Sequence, residues 1–534
     1  HRDLHSFPTR RSSDLTNDFD IEGTVVTFVD FIPPSSGTLT SNGDGTFVYQ
    51  SNPGFVGTDS FTYRVSDGVS VSAPATVTLQ VTAPGQFRWV NAAGGNWSTP
   101  ANWNLNRVPT ATDDVFIDEP GTYTVTVDVN ATVRRLVIGG TSGTQTVALA
   151  VRTLTVLSDS FVRPNGVWSQ TGGTLLVTGS NWTVEGGYRW TGGTVTGSGT
   201  TELGTAAQVV FGVTTADLSL DNGRRLVNRA DVTLSARRLF LRNSSEAGAT
   251  LENRGTLRLE GEADVEWINS NSTRPVRFIN AGTVEKAGVG TTVISAPVSS
   301  SGPFQVTSGT LRLSAGGALS GPITVTADGI LAFGGGEFVA GGTAPLGGDG
   351  VVEMSGGSLV LQGDQTVARF RQSGGEVSGA GGLRVTGEFS WTAGRQAGAV
   401  VTEIAPGATA AISGGNVQKT LAAGRQLINR GTLTVSGNWI FQLDGASGIH
   451  QTANIPANPT LLDNRGTMTV SVDPANADGT RIRPIFQNSG TLSLVRGTTI
   501  LERDSTHTGT VGVLAEARLG FVGGTHPFAP SCQF

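Results

Sequence analysis

The sequence is poor in several residues on which protein chemistry commonly depends. Its 534 residues include 1 Cys and 2 Met, and lysine occurs only as Lys286 and Lys419. The single thiol is that of Cys532, so the chain cannot form an internal disulfide framework or a cysteine zinc site. Charged residues make up 15% of the chain, and the formal net charge is -6. Because the chain is acidic and has no basic tract, nucleic acid is not expected as a partner.

Long apolar runs are also missing. No stretch of 18 apolar residues occurs, so the sequence predicts no transmembrane segment in this fragment. The chain instead contains 75 Gly, with abundant Val, Thr and Asn. Val and Thr favour strands, while Gly and Asn favour turns. These frequencies predict an all-β protein.

The first fifteen residues, HRDLHSFPTRRSSDL, differ from the rest of the chain. They contain no apolar stretch long enough for a signal peptide. All fifteen can be encoded in one frame by a common short-read sequencing adapter, so residues 1–15 resemble a translated adapter. We expect this segment to be non-native, and the chain from Thr16 onward to be a piece of a longer protein.

Residues 16–83 contain three runs typical of strands in a β-sandwich: GTLTSNGDGTFVYQ (37–50), DSFTYRVSDG (59–68) and APATVTLQV (73–81). The first run has a hairpin turn, and each of the three alternates apolar with polar residues. Gly37 to Val81 resemble the Ig-like, cadherin-like repeats of bacterial surface proteins. The resemblance implies an Ig-like sandwich that is truncated at its N-terminal side.

Some repeats of this kind bind calcium through acidic loop residues. The candidate ligands in this chain are Asp44, Asp59 and Asp67. Calcium requires six to eight converging oxygens, whereas Asp-Gly is a preferred turn pair that by itself explains Asp44 and Asp67. We therefore expect no cofactor, and calcium is the one metal that the resemblance leaves open.

Residues 84–130 are rich in tryptophan and contain Trp89, Trp97 and Trp103. The segment resembles one that opens repetitive β-strand regions in bacterial surface proteins. The three indole rings could form an exposed platform for stacking carbohydrate rings. They could instead pack as a cap over the first coil of a solenoid, whose open edge would otherwise pair with other chains. The position immediately before the repeats favours the cap.

Residues 131–525 repeat a short cassette that contains an invariant asparagine. It reads LVNRADVTL, LENRGTLRL, FINAGTVEK, LINRGTLTV, LDNRGTMTV and FQNSGTLSL, with the asparagine at positions 228, 253, 280, 429, 464 and 488. The successive spacings are 25, 27, 149, 35 and 24 residues. A period of 20–25 residues with short strands and Gly/Asn corners predicts a β-solenoid, in this case a right-handed parallel β-helix. Residues 526–534 are expected to be a tail.

The asparagine cassette also predicts local geometry. We expect Asn253, Asn280, Asn429, Asn464 and Asn488 to occupy equivalent corners and to stack as an amide ladder between coils. Asn and Gly at these corners are expected to adopt left-handed backbone conformations. The flanking leucines should point inward by period-2 alternation: Leu251, Leu257, Leu427, Leu433, Leu462 and Leu492.

Right-handed β-helices include polysaccharide lyases and hydrolases, so candidate catalytic groups must be considered. The best acidic stripe is Glu260, Glu262, Asp264 and Glu266, which would share one face if the segment stays extended. A charged solvent face that blocks lateral aggregation is the favoured interpretation of this stripe. His450, His507 and His526 lie far apart in the sequence and have no obvious Ser or Asp companions. We therefore expect no catalytic site.

The solenoid region loosely resembles the β-helices of bacterial adhesins and autotransporter passengers, which implies an extracellular protein at the bacterial cell surface or outer membrane. The expected function is a non-catalytic structural or adhesive stalk, with host or neighbouring cell-surface glycans or proteins as partners. The alternative is a carbohydrate-active enzyme on a pectin-lyase-like β-helix. An enzyme should carry long loops beside a cleft, and only 269–275 and 445–460 are candidates for long loops.

Overall fold

The computed structural model describes most of the chain. The residues that it describes are 4–6, 11–13, 27–42, 46–52, 55, 57–81, 86–212, 215, 217–244, 247–268, 276–341, 345–414, 417, 419–436, 440–442, 459–474 and 479–533. These residues contain no α-helix, and their only helical turn is the 3₁₀ segment Pro100–Asn102. The protein is all-β, with an N-terminal sandwich followed by a long parallel solenoid.

The N-terminal unit contains seven strands: β1 (Leu4–Ser6), β2 (Arg11–Ser13), β3 (Thr27–Ile32), β4 (Gly37–Ser41), β5 (Thr46–Ser51), β6 (Gly57–Ser66) and β7 (Ala75–Val81). One sheet has the order β1-β7-β6-β3 and the other has the order β2-β5-β4. The pairs β4–β5, β6–β7 and β3–β6 are antiparallel. The sandwich and its hairpin are those expected from the alternating runs at 37–50, 59–68 and 73–81.

The sandwich core consists of side chains from strands β5, β6 and β7 that point inward by strict alternation. Its buried members are Phe47, Tyr49, Phe61, Tyr63, Leu79 and Val81. The aromatic rings contact one another with centroid separations of 5.1–6.4 Å. Aromatic side chains bury a large area each, which lets so small a sandwich form a core of its own.

The segment that resembles an adapter contributes the two strands β1 and β2. Strand β1 pairs parallel with β7, and β2 pairs antiparallel with β5. Both lie at the edge of their sheets. Every neighbour in the order β7-β6-β3 is antiparallel, so β1 adds the only parallel pairing found in the described part of the sandwich.

The solenoid has three parallel sheets, and each coil contributes one strand to each sheet. Sheet 1 contains Gln86–Arg88, Asp114–Ile117, Arg135–Ile138, Ser160–Val162, Trp182–Val184, Thr200–Leu203, Arg225–Asn228, Thr250–Asn253, Arg277–Asn280, Val298–Ser300, Gly317–Leu319, Glu337–Ala340, Ser358–Leu361, Glu376–Gly379, Gly394–Ala397, Lys419–Ala422, Ile440–Gln442, Thr480–Ile482 and Ala517–Phe521.

Sheet 2 contains Gly95–Asn96, Tyr123–Thr126, Gln145–Leu149, Gln208–Phe211, Asp231–Leu234, Thr256–Glu260, Thr283–Ala287, Phe304–Val306, Ile323–Val325, Leu346–Gly347, Val401–Ile404, Gln426–Asn429, Leu461–Asn464, Ile485–Asn488 and Ser505–His507. Sheet 3 contains Ala131–Val133, Thr153–Val156, Asp217–Leu220, Arg238–Arg242, Asp264–Ile268, Thr291–Ile294, Gly309–Leu313, Gly329–Phe333, Val351–Met354, Thr409–Ile412, Thr432–Ser436, Thr467–Ser471 and Thr510–Val513.

Five longer strands turn a corner and belong to two sheets each. Four of them run from sheet 2 into sheet 3: Gly166–Val177, Gly187–Thr196, Gln365–Gln372 and Leu383–Trp391. The fifth, Thr491–Leu501, runs from sheet 3 into sheet 1. The parallel pairing begins at Gln86–Arg88, which lies within the tryptophan-rich segment. The solenoid makes about 17 turns.

The interior of the described solenoid is one continuous apolar core formed by alternate residues of most of its strands. The predicted inward leucines are all buried, with at most 2% of the side chain exposed: Leu251, Leu257, Leu427, Leu433, Leu462 and Leu492. One coil cannot enclose such a core, but stacked coils share it. The parallel registers therefore place equivalent apolar positions of successive coils directly above one another.

Candidate functional sites

Asp59, one of the three predicted calcium ligands, is a structural residue of the sandwich. Its side chain is buried, and its oxygens accept hydrogen bonds from the backbone N–H groups of Ser35, Ser36 and Ser60 at 3.0–3.1 Å. The Tyr49 hydroxyl donates a further bond at 2.9 Å. Burial opposes ionisation of this carboxyl, yet the hydrogen bonds hold its pKa below the ordinary value. The carboxylate thus ties the segment before β4 to strand β6.

Asp67 does not join Asp59 in a metal site. Its Oδ1 accepts hydrogen bonds from the N–H groups of Val69 and Ser70 at 2.7 and 2.6 Å, which is the turn chemistry expected of Asp-Gly. Eight residues of extended strand separate it from Asp59, about 26 Å along the chain. Asp44 lies outside the described residues. Within the described ranges, no group of three His, Cys, Asp or Glu side chains is placed to hold a metal ion.

Trp89, Trp97 and Trp103 pack together inside the first coil. The Trp103 ring lies edge-on to both others, with centroid separations of 5.0 and 4.9 Å, and all three rings are buried. The Trp89 and Trp103 indole N–H groups donate to the carbonyl oxygens of Asn91 and Trp97. The rings therefore present no open face on which a sugar could stack, and their burial favours the interpretation as a cap.

Polar side chains brace the surface of this cap. Asp113 accepts two hydrogen bonds from the Arg107 guanidinium, at 2.8 and 2.9 Å, and also binds the Thr110 N–H and hydroxyl. These bonds keep the Asp113 pKa below its ordinary value although burial opposes its ionisation. Asp128 holds Ser98 in the same way, through its N–H and hydroxyl. The two carboxylates fasten the loops that carry the tryptophans to the coil below.

The repeated asparagines form hydrogen-bonded columns that run along the solenoid. In the first column, the side-chain Nδ2 of Asn228 donates to Asn253 at 2.9 Å and that of Asn253 donates to Asn280 at 2.8 Å. In the second, Asn429 donates to Asn464 at 2.8 Å and Asn464 donates to Asn488 at 2.7 Å. All six asparagines are buried, and the predicted amide ladder is present.

The prediction that all these asparagines share one corner is wrong. Asn253 and Asn280 end strands of sheet 1, whereas Asn429, Asn464 and Asn488 end strands of sheet 2. The spacing of 149 residues from Asn280 to Asn429 therefore spans several complete coils plus one additional strand, which moves the cassette from sheet 1 to sheet 2. Because the three sides use the same alternating pattern, the same cassette can form either corner.

The expected left-handed corner backbone is also wrong for the N-x-G cassette. Its asparagines and glycines do not have positive φ angles. Glycine is required there because the coils approach closely. A Cβ added to Gly255, Gly282, Gly466 or Gly490 would lie 2.1–2.2 Å from a carbonyl oxygen of the coil below. No larger residue fits at this spacing, so the corner glycines form a column beside the asparagines.

Four cationic side chains lie wholly inside the solenoid, and two of them are the only lysines of the chain. The Lys286 Nζ donates to the carbonyl oxygens of Ala287 and Gly288 at 2.8 and 2.7 Å. The Lys419 Nζ donates to those of Gly414 and Val417 at 2.7 and 3.0 Å. Burial lowers the pKa of both ammonium groups, that of Lys419 to about 8. Neither amine is available at the surface.

The two buried arginines, Arg224 and Arg425, occupy equivalent places in an internal repeat. Each donates its Nε–H to a threonine hydroxyl 23 residues earlier, Thr201 at 2.9 Å and Thr402 at 3.0 Å. Burial lowers the pKa of both guanidinium groups to about 10. Thr201 lies in sheet 1 and Thr402 in sheet 2, so the second copy is displaced by 201 residues and by one side of the coil.

The acidic stripe at 260–266 does not form a continuous face. The strand Thr256–Glu260 ends at a turn through Gly261, whose φ is +62°, and a new strand begins at Asp264. Asp264 accepts the Val293 N–H at 2.7 Å, while Glu266 lies 3.6 Å from the Arg238 guanidinium. Burial raises the Asp264 pKa. The four acids are thus divided between two strands and the turn that joins them.

Several other carboxylates pair with arginines of neighbouring coils. Examples are Arg258–Glu285 at 3.0 Å, Arg384–Glu403 at 2.6 Å and the two arginines, Arg481 and Arg483, that hold Glu502 at 2.8 Å. The Glu502 pKa stays below its ordinary value because both guanidinium groups bind it, although burial opposes this. Exposed pairs of this kind contribute little individually, and they set charge complementarity between adjacent coils.

Two of the histidines have a partner that sequence reasoning missed. The hydroxyl of Ser505 lies 2.9 Å from His507 Nε2 and 2.8 Å from His526 Nδ1. Sequence distance concealed this contact, because positions 505 and 526 meet only when one coil is stacked on the next. A residue spacing near one coil length is the signal that could have revealed it.

Comparison with known families identifies the N-terminal unit. Residues 6–83 match the family model of the bacterial cadherin-like domain. Searches of the curated proteins and of the solved structures found no match. The chain therefore carries a bacterial cadherin-like domain followed by a parallel β-solenoid. The match begins at residue 6, inside the segment that resembles a translated adapter, and the adapter origin stays a prediction.

The described part of the chain contains no helix with the length and apolarity that a bilayer crossing requires.

Proposed function

We propose that this protein is a secreted or cell-surface stalk with a structural or adhesive role and no catalytic activity. The observation that carries the proposal is the pairing of a bacterial cadherin-like domain with a solenoid of about 17 turns. Such cadherin-like domains suggest an extracellular location. At roughly 4.8 Å per turn, the solenoid is a rod about 80 Å long, which suits display of a surface away from a cell.

The architecture of the described coils supports a stalk over an enzyme. Two residues separate each column asparagine from the next strand, as between Asn253 and Thr256 or between Asn464 and Thr467. Corners this short cannot form the side of a substrate-binding cleft. Segments 269–275 and 443–458, which include most of the predicted longer loops, lie outside the described residues. The proposal therefore rests on the regular corners that are described.

The carboxylates also support a non-catalytic surface. A retaining or inverting glycosidase needs two carboxyl groups that face each other across a sugar. In the acidic segment, Glu266 lies beside Arg238 and Asp264 accepts a backbone N–H. These acids serve the coil itself. Partners that fit a long surface with repeating hydroxyl and charged groups are glycans or proteins of a neighbouring cell.

A bead assay separates the two functions. The full chain would be coupled to beads, which are then tested under flow for retention on immobilised cell-surface glycans, on polysaccharides and on intact cells. We expect retention on at least one of these surfaces, and no release of reducing ends when the soluble chain is incubated with the same polysaccharides.

Variants of the acidic segment provide the control. Beads that carry Glu262→Ala or Glu266→Ala should be retained on the test surfaces as well as beads that carry the native chain. Glu353→Ala, on another coil of sheet 3, is the matched control. Release of sugar that disappears in Glu262→Ala or Glu266→Ala but persists in Glu353→Ala would overturn the stalk and establish an enzyme. Loss of retention on every surface would contradict the adhesive role.

A further inference from the structure

Residues 525–533, here called the strap, lie along the edge of the coil that contains Ser505–His507 and Thr510–Val513. Five backbone hydrogen bonds join them: Ser505 N–H to Thr525 O at 2.9 Å, His507 N–H to Pro527 O at 3.1 Å, Ala529 N–H to His507 O at 2.9 Å, Val511 N–H to Gln533 O at 2.7 Å and Gln533 N–H to Gly509 O at 3.4 Å. The strap thus occupies the positions that another coil would take on sheets 2 and 3. It covers backbone groups that would otherwise be open for pairing.

A chain of side-chain hydrogen bonds joins the strap to this coil, and its geometry fixes where each proton lies. His526 Nε2 lies 2.6 Å from the carbonyl oxygen of Gly523, so Nε2 must carry a hydrogen and Nδ1 must accept. The Ser505 hydroxyl therefore donates to His526 Nδ1 and accepts from His507 Nε2. The bond from Ser505 to His526 Nδ1 requires a neutral His526 ring, because a protonated Nδ1 cannot accept. The bond from His507 Nε2–H survives protonation of His507, so the cost of that proton arises at Nδ1 alone.

His507 is wholly buried and contacts two phenylalanine rings. The Phe528 ring stacks on it at 4.5 Å with an interplanar angle of 12°, and the Phe486 ring lies 5.7 Å away. His507 Nδ1 has no hydrogen-bond partner among the described atoms. A proton added at Nδ1 would create a buried cation with no acceptor, and such a charge is costly.

Protonation of the half-buried His526 has a similar consequence. Its Nδ1 would then donate to Ser505, and the serine hydroxyl would have to turn towards His507 Nε2, which already carries a hydrogen. Two hydrogens would then lie between Ser505 Oγ and His507 Nε2, unless the His507 hydrogen moved to Nδ1, which has no hydrogen-bond acceptor nearby. We propose that Ser505, His507 and His526 form a latch that holds the strap closed at neutral pH and releases it in acid.

The charged groups around the latch do not offset this effect. Asp504 faces His526, but its carboxylate already accepts the Thr525 N–H at 2.7 Å and the Thr525 hydroxyl at 3.0 Å. Arg503 lies beside Asp504, and Glu502 is held by two arginines. The bonds from Thr525 keep the Asp504 pKa below its ordinary value, so that group titrates below the histidine range.

The direction of the pH effect follows from burial. Burial lowers the pKa of His507 to about 4, from an ordinary value of 6.5. The open state therefore binds more protons than the closed state between these two values, so the closed state is favoured above pH 6.5 and loses stability as the pH falls towards 4. A difference of this size raises the opening equilibrium by about two orders of magnitude.

Hydrogen exchange of the full chain tests the latch. Exchange of the amides of Val511 and Ala529 would be followed by mass spectrometry from pH 7 to pH 4 and corrected for the intrinsic rate at each pH. We expect protection of these amides to fall about 100-fold across this range, while the corner amide of Arg254 in the first asparagine column stays protected. Equal protection at pH 7 and pH 4 would overturn the proposal.

The decisive variant is His507→Asn/His526→Gln, because neither replacement titrates. Gln at 526 can donate to Gly523 and accept from Ser505, and Asn at 507 continues the column after Asn488. Protection should then be independent of pH, and His450→Gln should behave as the native chain does. A fall in the double variant equal to the native one would refute the latch. Should that variant fail to fold, Ser505→Ala must reduce protection at pH 7, and unchanged protection there would also refute it.

Discussion

The asparagine columns show how a single side chain can be fully bonded inside an apolar core without carrying charge. Asn464 donates one Nδ2 hydrogen to Asn488 and the other to the carbonyl oxygen of Thr491 at 3.0 Å, while its Oδ1 accepts from Asn429. Buried polar groups are tolerated when every donor and acceptor is paired. An aspartate could not replace it, because the column needs a donor and an acceptor on each side chain.

A substitution within the column should cost more than one at its end. Asn464→Ala leaves the Oδ1 of Asn488 without its donor and removes three hydrogen bonds, so we expect a loss of about 2–4 kcal/mol in local stability. Asn488→Ala removes fewer bonds and should cost about 1–2 kcal/mol. Hydrogen exchange of the Thr467 and Thr491 amides would measure both. Equal losses in the two variants would argue against bonding along the column.

The internal repeat of 201 residues allows one buried amide, that of Gln396, to be compared with the equivalent position in the first copy. Gln396 donates to the Oε1 of Gln372 at 3.0 Å and accepts from the Thr402 hydroxyl at 2.6 Å. The position equivalent to Gln396 in the first copy, 201 residues earlier, is Val195. The Oε1 of the nearby Gln170 has no partner among the described atoms. The first copy therefore lacks the amide that completes the network in the second.

Removing that amide from the second copy should reproduce the deficit of the first. We expect Gln396→Val to destabilise its coils by about 1–3 kcal/mol, because the Gln372 oxygen loses its donor and the Thr402 hydroxyl loses its acceptor without gaining water. Thr194→Val, at the half-buried position before Val195, is the control in the first copy. Chemical denaturation of both variants would measure the difference. A neutral Gln396→Val would show that the network contributes no stability.

At the scale of the element, the same N-x-G cassette forms two different corners of the coil. The cassette joins sheets 1 and 2 at Asn253 and joins sheets 2 and 3 at Asn464, with a two-residue turn in both places. Sequence alternation predicted the strands, their inward leucines and the existence of the amide ladder. The strands and the inward leucines depend on residues that are close together in the chain, and the ladder follows from the repetition of one cassette in successive coils.

Sequence could not assign the corners to sides of the coil or find the histidine latch. Both depend on register between coils, which is set by the summed lengths of all the intervening turns. Position 507 follows Asn488 in the same column, but it carries an imidazole and not an amide, so the cassette pattern stops before it. The buried Trp89 was likewise ambiguous, because stacking on sugars and core packing require the same residue type.

The corner glycines should be more sensitive to a methyl group than glycines at positive φ. A Cβ on Gly466 would lie 2.2 Å from the Gly431 oxygen, whereas a Cβ on Gly407, with φ +80°, meets nothing within 4 Å. We expect Gly466→Ala to destabilise the solenoid by at least 3 kcal/mol, since the backbones must separate. Gly407→Ala should cost about 1–2 kcal/mol from left-handed strain. Melting curves that rank the two variants in reverse would contradict close approach.

At the scale of the whole molecule, each coil packs mainly against its neighbours, and a few arginines such as Arg224 reach a coil two turns away, so stability should be nearly additive along the axis. Leu433 is completely buried, and we expect Leu433→Ala to cost roughly 2–5 kcal/mol. Hydrogen exchange should rise in the coils around 409–471 and leave those near Asn253 protected. Thr434→Ala, on the exposed side of the same strand, is the control. Loss of protection throughout the solenoid would show global cooperativity instead.

The N-terminal segment allows a separate test on the whole chain. If residues 1–15 are adapter-derived, the cadherin-like domain did not evolve with β1 and β2, and deleting them should leave the melting temperature of the sandwich unchanged. Differential scanning calorimetry of the full and shortened chains would measure this. A fall of several degrees would show that these edge strands belong to the native domain.

The burial of Lys286 and Lys419 has a practical consequence for immobilisation. Both ε-amines of the chain are enclosed among backbone carbonyls, so an amine-reactive resin or dye should not reach either lysine while the coils that hold them stay folded. Coupling through activated esters should therefore leave the surface of the solenoid without attachment points along its length. Labelling of Lys286 or Lys419 would report that its coil had opened.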